Sequence, residues 1–264
     1  MKYGVSFVTA IGCAILVMPI LIVVTISFGG DTFVVFPPRH YSLHWFHVLF
    51  GDLDWREAFV SSVRIALVAC VLATFTGFLA AYALVRGTFP FKRLILTFTL
   101  MPMIVPTIIT SVAMYFLTAK LGLVGNVLWV GMCHAVLALP LVVLILSSVL
   151  QSIDPNLERA ALSLGASRAR MLRTLVAPLA LPGMVSAALF AFLASFDELV
   201  VAMFLTNAQS KTLPVKIWSS LELEIEPTIS AVSTVLIIVT AFVLVCETLL
   251  RRSSSRASSR VASH

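Results

Sequence analysis

Few side chains in this 264-residue chain could do chemistry, and they are scattered. Asp197 and Glu198 are the only acids inside an otherwise apolar run from Pro178 to Leu205. Carboxylates in such a setting are costly unless they face a cavity or a partner. Two roles are open to them. They can attract a cationic solute along a path, together with Ser195 and Phe196, or they can pair with a neighbouring chain or cap a broken helix. Asp197 lies 19 residues beyond Pro178, about 28 Å along a helix, which puts it in the outer part of a bilayer. Being adjacent, the two acids point to different faces. His40, His44 and His47 have spacings of four and three, as a metal site on one helix face would need. Trp45, Phe46 and Trp55 interleave them, which fits an interfacial aromatic belt, and no metal is expected. Cys13, Cys70, Cys133 and Cys246 stand singly in apolar stretches and read as packing residues. No Ser-His or acid pair has catalytic spacing, so no catalytic residue is assigned. No Gly-Lys pair occurs anywhere in the chain. A phosphate-binding loop requires one, so ATP would have to be used by another protein.

The elements that must position these residues are membrane-spanning helices. The chain is 60% hydrophobic and 11% charged, with a mean hydropathy of +1.06, whereas soluble domains are about 25% charged. A soluble globular domain, a disordered chain and a disulfide scaffold are all excluded. Uncharged runs of about 20 residues predict six spans, near 7–28, 62–85, 94–118, 127–149, 178–205 and 228–248, in an all-α integral membrane fold. The first is too long for a signal-peptide core and lacks a cleavage signature, so it is expected to remain as an anchor. Pro102 and Pro106 are expected to kink the third span as a packing feature. His134 in the fourth is expected to be a hydrogen-bonded packing group.

The net charge of +6 does not point to nucleic acid, because the charges sit between apolar blocks. Twelve Lys and Arg fall in one set of alternate loops and termini and five in the other, which predicts that both termini are cytoplasmic. Asp31, Asp52, Asp54, Glu57, Glu222, Glu224 and Glu226 concentrate in the outer loops. The Ser- and Arg-rich tail, 251–264, is expected to be disordered and held near anionic membrane lipid.

One segment between spans four and five does not belong to the bilayer. Asp154-Pro155 reads as an N-cap with proline at the first helical position. Leu157, Ala161 and Leu164 then form a narrow apolar stripe with Glu158, Arg159 and Ser163 off it. Gly165 is a left-handed stop, and Ser167 can cap a second short helix bearing Arg168, Arg170 and Arg173 on one face. On periodicity alone, this hairpin, 154–175, could be an interfacial connector.

The pattern Glu158-x-Ala160-Ala161-x-x-x-Gly165-Ala166, with Pro178 and Pro182 downstream, resembles the EAA motif of permease subunits of bacterial ATP-binding-cassette importers. Arg159 stands where that motif has its first alanine. Phe36-Pro37-Pro38-Arg39, Tyr41 to Phe46, Ser195 to Ala202 and Thr212 to Trp218 look like the spermidine/putrescine branch, so the resemblance covers most of the chain. It implies a type I importer permease fold of six spans, with Glu158, Ala160, Ala161, Leu164, Gly165 and Ala166 forming a coupling helix that docks on a cytoplasmic ATPase dimer. The small alanines would let the helix seat closely, and the carboxylate would pair with a basic group. It also implies a bacterial inner membrane location, a second homologous permease and a periplasmic solute-binding protein. ATP and Mg would be bound by the ATPase and no cofactor by this chain. The alternative is a stand-alone secondary carrier or channel, which would be expected to show internal repeats or paired broken helices.

Overall fold

The computed structural model describes residues 2–31, 33, 35–223 and 227–261. Glu224, Glu226 and the side chain of Cys246 fall outside what is described. Among the described residues all regular structure is helical. In chain order the helices are α1 (Lys2–Ser27), α2 (His44–Gly51), α3 (Leu53–Arg86), α4 (Lys92–Ile104), α5 (Thr107–Lys120) and α6 (Val127–Ser152). They continue with α7 (Pro155–Ser163), α8 (Arg168–Met171), α9 (Ala177–Phe196), α10 (Val200–Leu205), α11 (Leu213–Leu223) and α12 (Thr228–Val261). A π-helical stretch, Leu172–Val176, joins α8 to α9.

Local chemistry sets the ends of the central helices. Asp52 caps α3, its Oδ1 accepting from the N–H groups of Asp54 at 2.7 Å and Trp55 at 3.4 Å. Asn126 caps α6 through the Trp129 N–H at 3.0 Å. Both satisfy amides that a helix start leaves unpaired.

The core is a bundle of α3, α6 and α9, and much of its interface is alanine: Ala69, Ala73, Ala81, Ala135, Ala138, Ala180, Ala187 and Ala191 are all buried. Glycines bring the backbones closer still. A Cβ at Gly77 would overlap Val142, one at Gly131 would overlap Val68, and one at Gly183 would overlap Val149. Lipid offers no hydrophobic drive between helices, so close packing through small residues takes over that role. Around this core α1 packs along α12, and the side chains of Phe7, Leu16 and Phe242 turn outward.

At one end of the bundle α2, α11 and the starts of α3 and α12 form a platform around Leu49, Trp55, Ala58, Leu213 and Val232. Here Ser62 Oγ accepts from the Leu213 N–H at 2.8 Å. Lys216 Nζ lies 3.2 Å from Asp54 and 5.4 Å above the Trp55 ring centroid. The α7–α8 hairpin lies at the opposite end, beside the last residues of α3 and α6.

The structure differs from expectation in two of the six predicted spans and in the tail. The third is two helices, α4 and α5, bent by 100°. Pro102 sits inside α4 without ending it. Val105 is extended, at φ −73° and ψ 132°, the conformation a following proline imposes, and Pro106 takes the N-cap position of α5. The fifth span is also interrupted, between α9 and α10. The tail from 251, expected to be disordered, continues α12 as helix as far as Val261. Extending an existing helix needs no new nucleus.

Candidate coupling hairpin and pathway residues

The hairpin is built from local hydrogen bonds. Asp154 caps α7, accepting from the Asn156 N–H at 2.9 Å, and Pro155 occupies the first turn, where its missing N–H costs nothing. Gly165 takes φ +85°. The Gly165 N–H then donates to the Leu162 carbonyl at 3.0 Å, and the Ala166 N–H to the Ala161 carbonyl at 3.1 Å. These are the two bonds of a Schellman ending, which satisfies carbonyls the helix leaves open. Ser167 Oγ accepts from the Arg170 N–H at 3.3 Å and starts α8.

The apolar stripe of α7 does not face the bundle as a whole. Leu157 and Leu164 face outward, Leu164 with 89% of its surface exposed, while Glu158 is 7% exposed. Of the other motif residues, Ala160 and Gly165 are exposed, and Ala161 and Ala166 are half-buried against the bundle. Glu158 turns inward because its partners are there. Arg86 Nε donates to its Oε1 at 2.7 Å, and the Tyr82 hydroxyl donates to its Oε2 at 3.0 Å. A second Arg86 nitrogen donates to the Ile153 carbonyl at 2.7 Å. In the sequence Arg86 stands only as one of the twelve Lys and Arg of one loop set, and Tyr82 as one more residue of an apolar span. Their four-residue spacing, which places both on one face of α3, was the signal available.

The pathway candidates separate into two groups. Ser195 and Phe196, expected to line the path, are buried within this chain. Ser195 Oγ shares a hydrogen bond with Nδ1 of His134 at 2.9 Å, joining α9 to α6. Phe196 stacks on Phe192 and meets Phe59 edge-on, with centroids 5.5 and 6.0 Å away. Both side chains are packed inside this chain. Asp197 and Glu198 stand at the break. Asp197 ends α9 with its side chain exposed. Glu198 Oε1 accepts from the Val201 N–H at 3.0 Å and so caps α10. Among the described residues no three His, Cys, Asp or Glu side chains come together as metal ligands would.

The family described as "Binding-protein-dependent transport system inner membrane component" matches residues 73–259. The spermidine/putrescine transport system permease protein PotC of Haemophilus influenzae is 32% identical over 242 residues, covering 92% of this chain and 94% of that protein. The putrescine transport system permease protein PotI of Escherichia coli K12 is 29% identical over 234 residues, covering 86% and 83%. A solved structure of a bacterial ABC transporter involved in the import of the acidic polysaccharide alginate contains a chain of the same fold. It superposes with a TM-score of 0.70 at 16% identity, covering 95% of this chain and 96% of that one. These matches do not favour a stand-alone carrier or channel. The chain belongs to the binding-protein-dependent transport family, as a non-enzymatic, multi-pass inner-membrane permease subunit of an ABC importer that works with a separate ATPase and a binding protein.

Proposed function

We propose that this chain forms half of the path by which a polyamine or related organic cation crosses the inner membrane. A periplasmic binding protein delivers the solute, a second homologous permease supplies the other half of the path, and a cytoplasmic ATPase dimer binds the ATP and Mg. The observation that carries the substrate class is the 32% identity to PotC over 92% of the chain. The exposed carboxylate of Asp197 is consistent with it, because among the described residues no cation pairs with that group. An unpaired carboxylate at a helix break can draw an ammonium group out of water.

In this reading the outward Leu157, Ala160 and Leu164 seat the hairpin on the ATPase. The hairpin end, with both chain termini, faces the cytoplasm, and the basic tail lies beside anionic lipid. ATP closes the ATPase dimer, the hairpins of the two permeases move together, and the population of states shifts from inward-open to outward-open.

The test is uptake of labelled spermidine and putrescine by cells carrying the importer as their polyamine route. Asp197→Asn should lower uptake about tenfold, the worth of one charged hydrogen bond, at unchanged recovery of the complex. A parallel loss of uptake and complex would make Asp197 structural. Purification of the chain alone, transporting in liposomes without ATP, would overturn the proposal.

A further inference from the structure

The contacts of Glu158 reach beyond the hairpin. Of the three ion pairs among the described residues, Arg86–Glu158 is the one with both side chains largely buried, at 17% and 10% exposure. Both oxygens of the carboxylate are taken by α3, and the free arm of the guanidinium holds Ile153, the residue that ends α6. One arginine therefore ties together the ends of α3 and α6 and the inward face of α7. Arginine's planar fork fixes direction as well as distance. A buried ion pair is better suited to fixing geometry than to adding stability.

The other end of α3 is tied as well. Asp54 and Ser62 hold Lys216 and the N–H of Leu213 on the α11 platform. The helix that carries both ties, α3, is 34 residues of uninterrupted helix without a proline, about 50 Å of rod. The neighbouring predicted spans three and five are broken, and α3 is not. Of the two unbroken helices that reach the hairpin, α3 and α6, α3 is the longer and the one without a proline, and so offers a stiff route to the far side of the membrane.

We propose that Arg86 and Tyr82 are positioning residues of the transport cycle, locking the coupling hairpin to α3 so that its displacement is delivered along α3 to the α11 platform. The inference rests on the reading of the hairpin as the ATPase-docking element. It places Glu158 inside this chain rather than on the ATPase, and it keeps the hairpin and α3 together throughout the cycle.

The experiment uses the complete importer, purified through this chain and reconstituted in liposomes with spermidine-loaded binding protein. The readout is solute imported per ATP hydrolysed. Arg86→Ala and Glu158→Gln should lower that ratio about tenfold, within the usual range of coupling between sites, with ATP hydrolysis falling far less than import. Arg86→Lys should recover part of the loss. An unchanged ratio in Arg86→Ala, or import and hydrolysis falling together with complex yield, overturns the proposal.

A second measurement replaces the ion pair with a covalent tie. In a cysteine-free background, Arg86→Cys with Glu158→Cys lacks the ion pair and should import poorly, and joining the two with a short bifunctional thiol reagent should raise import severalfold. Import that stops on linking and returns on cleavage would mean the hairpin leaves α3 during the cycle, and the lock falls. Cross-linking from Leu164→Cys to the ATPase separates the two failures. Without that cross-link the docking reading itself fails. With it, an unaffected Arg86→Ala removes only the lock.

Discussion

Gly165 turns the hairpin in left-handed backbone, and nothing lies within 4 Å of where a Cβ would stand. Its requirement is therefore conformational rather than steric. A side chain there costs about 1–2 kcal/mol, more when β-branched, while asparagine tolerates the region. Gly165→Val should open the Schellman turn and lower uptake severalfold at normal membrane levels, and Gly165→Asn should stay near wild type. If the two variants behave alike, the turn is not what the glycine supplies. This residue was legible in sequence because its signal is local: a cap, a proline, a stripe and a glycine within twelve positions. The direction of Glu158 was not, because its partner lies 72 residues away. Periodicity defines the stripe of Leu157, Ala161 and Leu164 but not which way it faces, and a buried charge pair decides that Glu158 turns inward.

Among the elements, the break between α4 and α5 carries the clearest expectation. Phe98 and Phe116 are exposed on either side of the 100° bend. Spin labels there should stand about 17 Å apart, against about 27 Å along one straight helix. A distribution centred at the longer value would mean an unbroken span, and Pro106→Ala should move the population toward it. A hydropathy window sees only length and composition, so α4 and α5 read as one span. Pro106 was visible, but the angle depends on what α5 meets. It packs on α10, beyond the second break, and its Thr118 Oγ1 accepts from Trp129 Nε1 of α6 at 2.8 Å. Next to it the Gly125 N–H bonds the Leu205 carbonyl at 2.8 Å. Such pairings between distant segments have no local trace in the sequence.

For the whole molecule, the unequal distribution of Lys and Arg between alternate loops sets the expected orientation. In a cysteine-free background, Thr88→Cys, in the exposed α3–α4 loop, should react with a membrane-impermeant maleimide only after the inner membrane is opened. Leu53→Cys, exposed at the platform end, should react in intact spheroplasts. The opposite pattern would invert the molecule and put the hairpin out of reach of any cytoplasmic ATPase. The count of apolar runs sufficed for the all-helical membrane fold, since the bilayer allows few alternatives to spanning helices.

The pairing of Arg86 with Glu158 also has a consequence for how the protein is made. Arg86 leaves the ribosome 72 residues before its partner, about 4–14 s earlier at usual synthesis rates of about 5–20 residues per second. During that interval it is a bare cation at the end of a newly inserted helix, anchoring the end of α3 on the side where positive charge stays. Only once α6 is in place and α7 follows can Glu158 arrive and neutralise it. In the orientation expected from the charge distribution, the same arginine is first an unpaired cation at the end of α3 and then a structural tie, and the hairpin closes after α6.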